Sequence, residues 1–239
     1  MRYVGAKLAI VGVISSAALI ASAPSAAMPP TSATSHFRAY LPQSAEEETA
    51  LARSAAPAAI SSHAEIMVFS PQGYKLASKG TNGFTCLVER SWAKDPGDKE
   101  FWNPKMRAPT CFNPAAVKSV LSAYLERTKW VLAGAGEAEV KSRIEQSVRS
   151  RRIAPPQAGA MSYMMSKDQY LSNAENGHPW HPHVMFYYPV SVAKQTWGAD
   201  LEGSPVLSDT AKFDRVITFM VPVGHWSDGS PAAPAEQHH

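Results

Sequence analysis

Several features are scarce in this sequence, and each scarcity removes a class of protein. Only two cysteines occur among 239 residues, Cys86 and Cys111, and they do not form a Cys-x-x-Cys pair. A multiply cross-linked scaffold, a zinc ribbon and a dithiol redox motif are therefore excluded. Basic clusters are limited to Arg149, Arg151 and Arg152 in a chain of net charge +3. Those three fall at the end of an expected helix, where positive charge complements the macrodipole, so nucleic acid is not an expected partner. There is no internal repeat, heptad run or long block of like charge, no His-Glu-x-x-His helix and no Gly-x-Ser-x-Gly elbow.

The N-terminus carries a targeting pattern instead. Arg2 and Lys7 precede an uncharged run from Leu8 to Ala21, about fourteen residues where a membrane-spanning helix needs roughly twenty. Small residues at Ser25-Ala26-Ala27 follow, and Pro24 disfavours cleavage at the earlier Ala21-Ser22-Ala23. The expectation is a signal peptide over 1–27, removed on export, with no lipid anchor and no permanent membrane anchor. Loss of Arg2 and Lys7 leaves a formal charge of about +1 on about 210 residues, a length suited to one domain. In an oxidising compartment Cys86 and Cys111 are expected to form a disulfide.

Residues 28–60 read as a flexible lead-in with one short helix, because Pro24 to Ser35 is rich in Pro, Ala, Ser and Thr, and Ser44 followed by Glu46, Glu47 and Glu48 is a helix start. From Ala64 the pattern alternates, broken at Pro71-Gln72-Gly73 and Thr81-Asn82-Gly83. This predicts a three-stranded antiparallel meander, with Asn82-Gly83 as its better-defined hairpin turn. Ser91 to Thr110 reads as a long loop tied down by the disulfide, with Trp92, Phe101 and Trp102 packing it onto the core. Asn113-Pro114 opens a helix to Gly134, a second runs from Glu137 to Arg152, and strands are expected at Ala160–Met165, His183–Tyr188 and Asp214–Val221. The predicted whole is α+β: an antiparallel sheet with two packed helices in mid-chain, a single domain over 61–228 and a disordered tail over 229–239.

For chemistry, the segment His178-Pro-Trp180-His181-Pro-His183 holds three of eight histidines. In an extended chain His181 and His183 point to the same side, so both could ligate one metal ion with His178, and with His225, Asp168 or Glu175 as further ligands. Zinc would suit the imidazoles. Copper would suit them if Met161, Met164, Met165, Met185 or Met220 joined the set. The competing reading is that these residues simply pack and hydrogen-bond. A cupin is disfavoured, because Val184 to Pro189 contains no glutamate after the His-x-His.

Ser91-Trp-Ala-Lys94 and Ser191-Val-Ala-Lys194 match the Ser-x-x-Lys element of penicillin-binding enzymes, but its companion elements are missing. Ser162, Ser166 and Ser227 are alternative nucleophiles by proximity in sequence to the histidines.

The stretches Gly80 to Trp92, Gly159 to Ser166 and His181 to Phe186 resemble segments of exported bacterial proteins of no assigned function. That resemblance implies a bacterial envelope, with the periplasm as the expected compartment, and it transfers no activity or site residue. Three readings remain: a metal-dependent protein, a non-catalytic envelope protein that binds a partner or small molecule, and a serine hydrolase.

Overall fold

A computed structural model describes residues 37–176 and 178–233. The expected leader over 1–27 and the terminal histidines lie outside the described residues. Eight strands form one sheet: β1 (Glu65–Ser70), β2 (Gly73–Ser78), β3 (Thr85–Glu89), β4 (Ala108–Phe112), β5 (Met161–Met164), β6 (His183–Pro189), β7 (Leu207–Ala211) and β8 (Val216–Pro222). Their order is β2-β1-β3-β4-β5-β6-β8-β7. Every pairing is antiparallel except β1 with β3.

The helices are α1 (Ala45–Arg53), α2 (Ala58–Ser61), a continuous helical run over 114–132, here α3, and α4 (Glu137–Arg149). The fold is α+β, as the sequence indicates. Local chemistry fixes the helix starts. Ser44 accepts from the Glu47 amide at 3.0 Å to cap α1, and Asn113 accepts from the Ala116 amide at 2.9 Å ahead of Pro114 to cap α3. Inside α3, Val117–Leu121 widens into a π turn.

The meander expected from 64 to 90 does not form. Pro71-Gln72-Gly73 makes the β1–β2 hairpin, with Gly73 at φ +102° and the Ser70 hydroxyl donating to the Gly73 carbonyl at 2.7 Å. The chain then crosses to the far side of β1, where β3 pairs parallel to it. Asn82-Gly83 belongs to this crossing rather than to a hairpin, because Asn82 donates to the Ile60 carbonyl at 2.8 Å and Thr81 to the His63 carbonyl at 2.8 Å. The crossing hugs β1 so closely that a Cβ on Gly80 would lie 2.2 Å from the Glu65 nitrogen.

The sheet has two covered faces. On the back, α1 packs Ala52 against Ile66, Val88 and the disulfide, which joins directly opposed residues of β3 and β4. On the front, α3 and α4 pack Leu121, Val131 and Ile144 over Phe69, Leu87 and Phe112. Trp92 and Phe101 are fully buried there, so the loop after β3 is tied to the core by two of its three aromatics, while Trp102 is exposed.

Residues 37–60, placed by sequence in a lead-in, are packed. Glu48 and Arg90 form a buried ion pair at 2.8 Å between α1 and the end of β3, and Arg90 also donates to the Tyr40 and Val88 carbonyls. At the other end, the chain past 229 still bridges back, His225 pairing with Pro231.

Candidate functional site

Strand alternation places Ser162 and Met164 of β5, His183, Met185 and Tyr187 of β6, and Val216, Thr218 and Met220 of β8 on the front face. Across the strands Phe112, Ser162, Met185 and Met220 stand in one row, and Tyr187, Thr218 and Asp209 in another. Over Phe69 and Leu87 this face is closed by side chains, but from Glu89 of β3 and Ala108 and Phe112 of β4 across to β8 the helices stand off. The space between is a cavity of about 420 Å³, within the range of small-molecule sites.

Ser119, Val120, Ala123 and Arg127 of α3 roof the cavity, Ile153 and Pro156 extend the roof, and Leu171, Glu175 and Trp180 close one end. The π turn of α3 carries Ser119 and Val120, which puts the irregularity of that helix at the cavity wall. Three methionines in the floor give the wall soft, adaptable contacts.

The polar groups are few and specific. Glu89 lies at the end of β3, and its Oε2 accepts from the Thr110 hydroxyl at 2.8 Å. It forms no ion pair among the described residues. Burial pushes its carboxyl up to about 7, against the opposing pull of Thr110, Arg127 and Lys94. Arg127 donates through Nη1 to the carbonyls of Trp92, Ala93 and Lys94 and pairs through Nη2 with Asp214, while its buried Nε has no partner among the described residues. Tyr187 shares a 2.7 Å hydrogen bond with the Ser162 hydroxyl, and burial raises its phenol above the ordinary range.

Of the four histidines expected as ligands, His183 lies in the cavity wall, as does Glu175 of the further candidates. His183 is 2% exposed, and its ring packs edge-on against Trp180 with centroids 4.5 Å apart. Its Nδ1–H donates to the His181 carbonyl at 2.7 Å, and burial lowers its pKa to about 4, so the ring is neutral near pH 7. His178, His225 and Asp168 are exposed and His181 is half-buried. Among the described residues no group of three or more His, Cys, Asp or Glu side chains is placed to hold a metal ion.

The methionines divide as well: Met164, Met185 and Met220 line the cavity, while Met161 and Met165 do not. Prolines 179 and 182 and the alternation of β6 give each histidine a different environment, which is why clustering in sequence did not become convergence in space.

The serines are engaged elsewhere. Ser91 is buried and donates to the Phe101 carbonyl at 2.7 Å, Ser166 shares a 2.6 Å hydrogen bond with Ser54, and Lys194 pairs with Asp200 rather than with Ser191. No described arrangement couples one of these hydroxyls to a base.

Sequence reasoning passed over Glu89 and Arg127. Both carried a signal: Glu89 stands two residues from Leu87 on the inward side of its strand, and Arg127 falls on the apolar stripe of α3 between Tyr124 and Val131.

Fold and site together define an α+β protein whose sheet is solidly packed over one half and encloses a ligand-sized cavity over the other. No protein-family model, curated protein or solved structure matches the chain.

Proposed function

We propose that this is an exported protein of the bacterial envelope that binds a small, largely apolar molecule in the cavity between α3 and strands β5 to β8. The observation that carries the reading is the cavity itself: about 420 Å³, walled by Met, Val, Ala and aromatic side chains, with three carboxyls, Glu89, Glu175 and Asp209, that have no ion-pair partner among the described residues. A mostly apolar wall with a few placed polar groups is what small-molecule sites share. Export is supported by the basic and apolar start of the chain and by the Cys86–Cys111 disulfide. No described helix is long and apolar enough to cross a membrane.

The test is a fluorescence titration with N-phenylnaphthylamine, a neutral apolar dye. Saturable one-to-one binding is expected, and Ala123→Trp, which fills the cavity from the roof, is expected to abolish it without lowering the melting temperature. Binding that survives Ala123→Trp unchanged would place the dye on the surface and remove the support for this reading.

A further inference from the structure

Resting on that reading, the charge around the cavity narrows the ligand class. We infer that the cavity takes an apolar molecule bearing a protonated amine, with the Glu89 carboxylate as its counter-ion. Four acidic side chains line the space, Glu89, Glu175, Asp209 and Asp214, against two basic ones, Lys94 and Arg127. Arg127 and Asp214 neutralise each other, which leaves three acids facing one lysine. The wall is therefore acidic in a chain whose net charge is positive.

Glu89 is the acid that reaches the cavity from the end of β3. Thr110 satisfies one of its oxygens with a neutral hydroxyl, and neither Arg127 nor Lys94 pairs with it. A carboxylate held this way feels Arg127 and Lys94 without touching either, and a ligand ammonium would supply a cation in contact, in a setting where a charge-assisted hydrogen bond is strong. An anionic ligand would meet Glu89, Glu175 and Asp209 instead. Trp180 offers an aromatic wall suited to the same charge. The groups whose charge or hydrogen bonding bears on Glu89 are Thr110 of β4, Arg127 and Tyr124 of α3, Tyr187 of β6 and Lys94 of the loop after β3. Tyr124 and Tyr187 stay neutral below pH 10, because burial raises both.

The experiment is displacement of bound N-phenylnaphthylamine from the disulfide-bonded protein at pH 8 by three probes of one shape: naphthylmethylamine, naphthylmethanol and naphthoic acid. The amine is expected to bind about tenfold tighter than the alcohol, the size of one charge-assisted hydrogen bond, with the acid weakest. Glu89→Gln is expected to erase the advantage of the amine over the alcohol, while saturable dye binding to the variant shows its cavity to be intact. Lowering the pH from 8 to 6 should weaken the amine alone. If the alcohol or the acid matches the amine in the wild-type protein, the inference fails whatever the variant does. If the dye itself does not bind, the failure is that of the cavity reading beneath it.

Discussion

The two halves of the sheet follow the same alternation and end differently. Over β1, β3 and β4 the inward positions are Phe69, Leu87 and Phe112, and Trp92, Tyr40 and Leu121 fill the space above them. Arg90 is fully paired there, meeting the Glu48 carboxylate, two carbonyls and the Phe69 ring. Over β5 to β8 the inward positions are Met, His, Tyr and Thr, and the helices do not descend to cover them. The first half shows what this chain does when packing is the only demand. The second withholds packing where the imidazole of His183 is buried and neutral and where the half-buried Glu89 carboxyl reaches in from the end of β3, which is the contrast expected between scaffold and site.

The largest effect should come from breaking the scaffold's buried charge. Glu48→Ala leaves Arg90 buried without its anion, and urea denaturation should show a loss of about 3 to 5 kcal/mol. A loss under 1 kcal/mol would mean that water or another group already compensates Arg90.

The disulfide comes next. Cys86 and Cys111 close a loop spanning 25 residues, so reduction or a double Ser variant should cost about 3 to 4 kcal/mol in the chain-entropy model. Dye affinity should be unchanged wherever the reduced protein is still folded, because the bond lies in the packed half.

Paired truncations sharpen the contrast directly. Leu87→Ala, in the closed half, should cost about 2 to 5 kcal/mol. Met220→Ala should cost about 1 kcal/mol, since a side chain beside a void already lacks contacts on one side. Equal costs would show the second half to be as well packed as the first.

The smallest effect is in the pH dependence of stability, where two titrating groups of the cavity, half-buried Glu89 and buried His183, act in opposite directions. Glu89 has its folded pKa raised to about 7, so its contribution is fully present below its unfolded value and is lost as pH rises to 7. His183 has its folded pKa lowered to about 4, so its contribution is present above its unfolded value and is lost as pH falls toward 4. Between pH 4 and 7 the two slopes offset each other. Removing one by Glu89→Gln or His183→Gln should therefore tilt the profile in opposite senses, measurable as melting temperature against pH.

What could be read from sequence was local. The starts of α1 and α3 were legible because capping by Ser44 and Asn113 acts over three residues, and most strands were legible from alternation. Two strands were not. In β4, Pro109 argues against a strand, yet it is tolerated because β5 pairs only with Cys111 and Phe112 and leaves the Pro109 level without a neighbour on that side. In β7, Leu207 to Ala211 is polar and exposed at the sheet edge and shows no apolar alternation. The parallel pairing of β1 with β3 was hidden because it depends on contacts made by Asn82 and Gly80 with the α2–β1 junction rather than on the turn sequence.

At the site, the segment Asn176 to His183 contributes Trp180 and His183 to the cavity wall. Among the described residues its histidines do not gather into a group placed to hold a metal ion. The grouping of His183 with Glu89 arises from strands nearly a hundred residues apart in sequence, a relation no local spacing contains.

The most direct measurement is a crystal structure of the protein soaked with N-phenylnaphthylamine. Density for the dye between Met164, Met185 and Met220, beneath Val120 and Ala123, is the expected result. A cavity collapsed onto the sheet, or dye held only on the outer surface, would contradict the assignment of this space as the binding site.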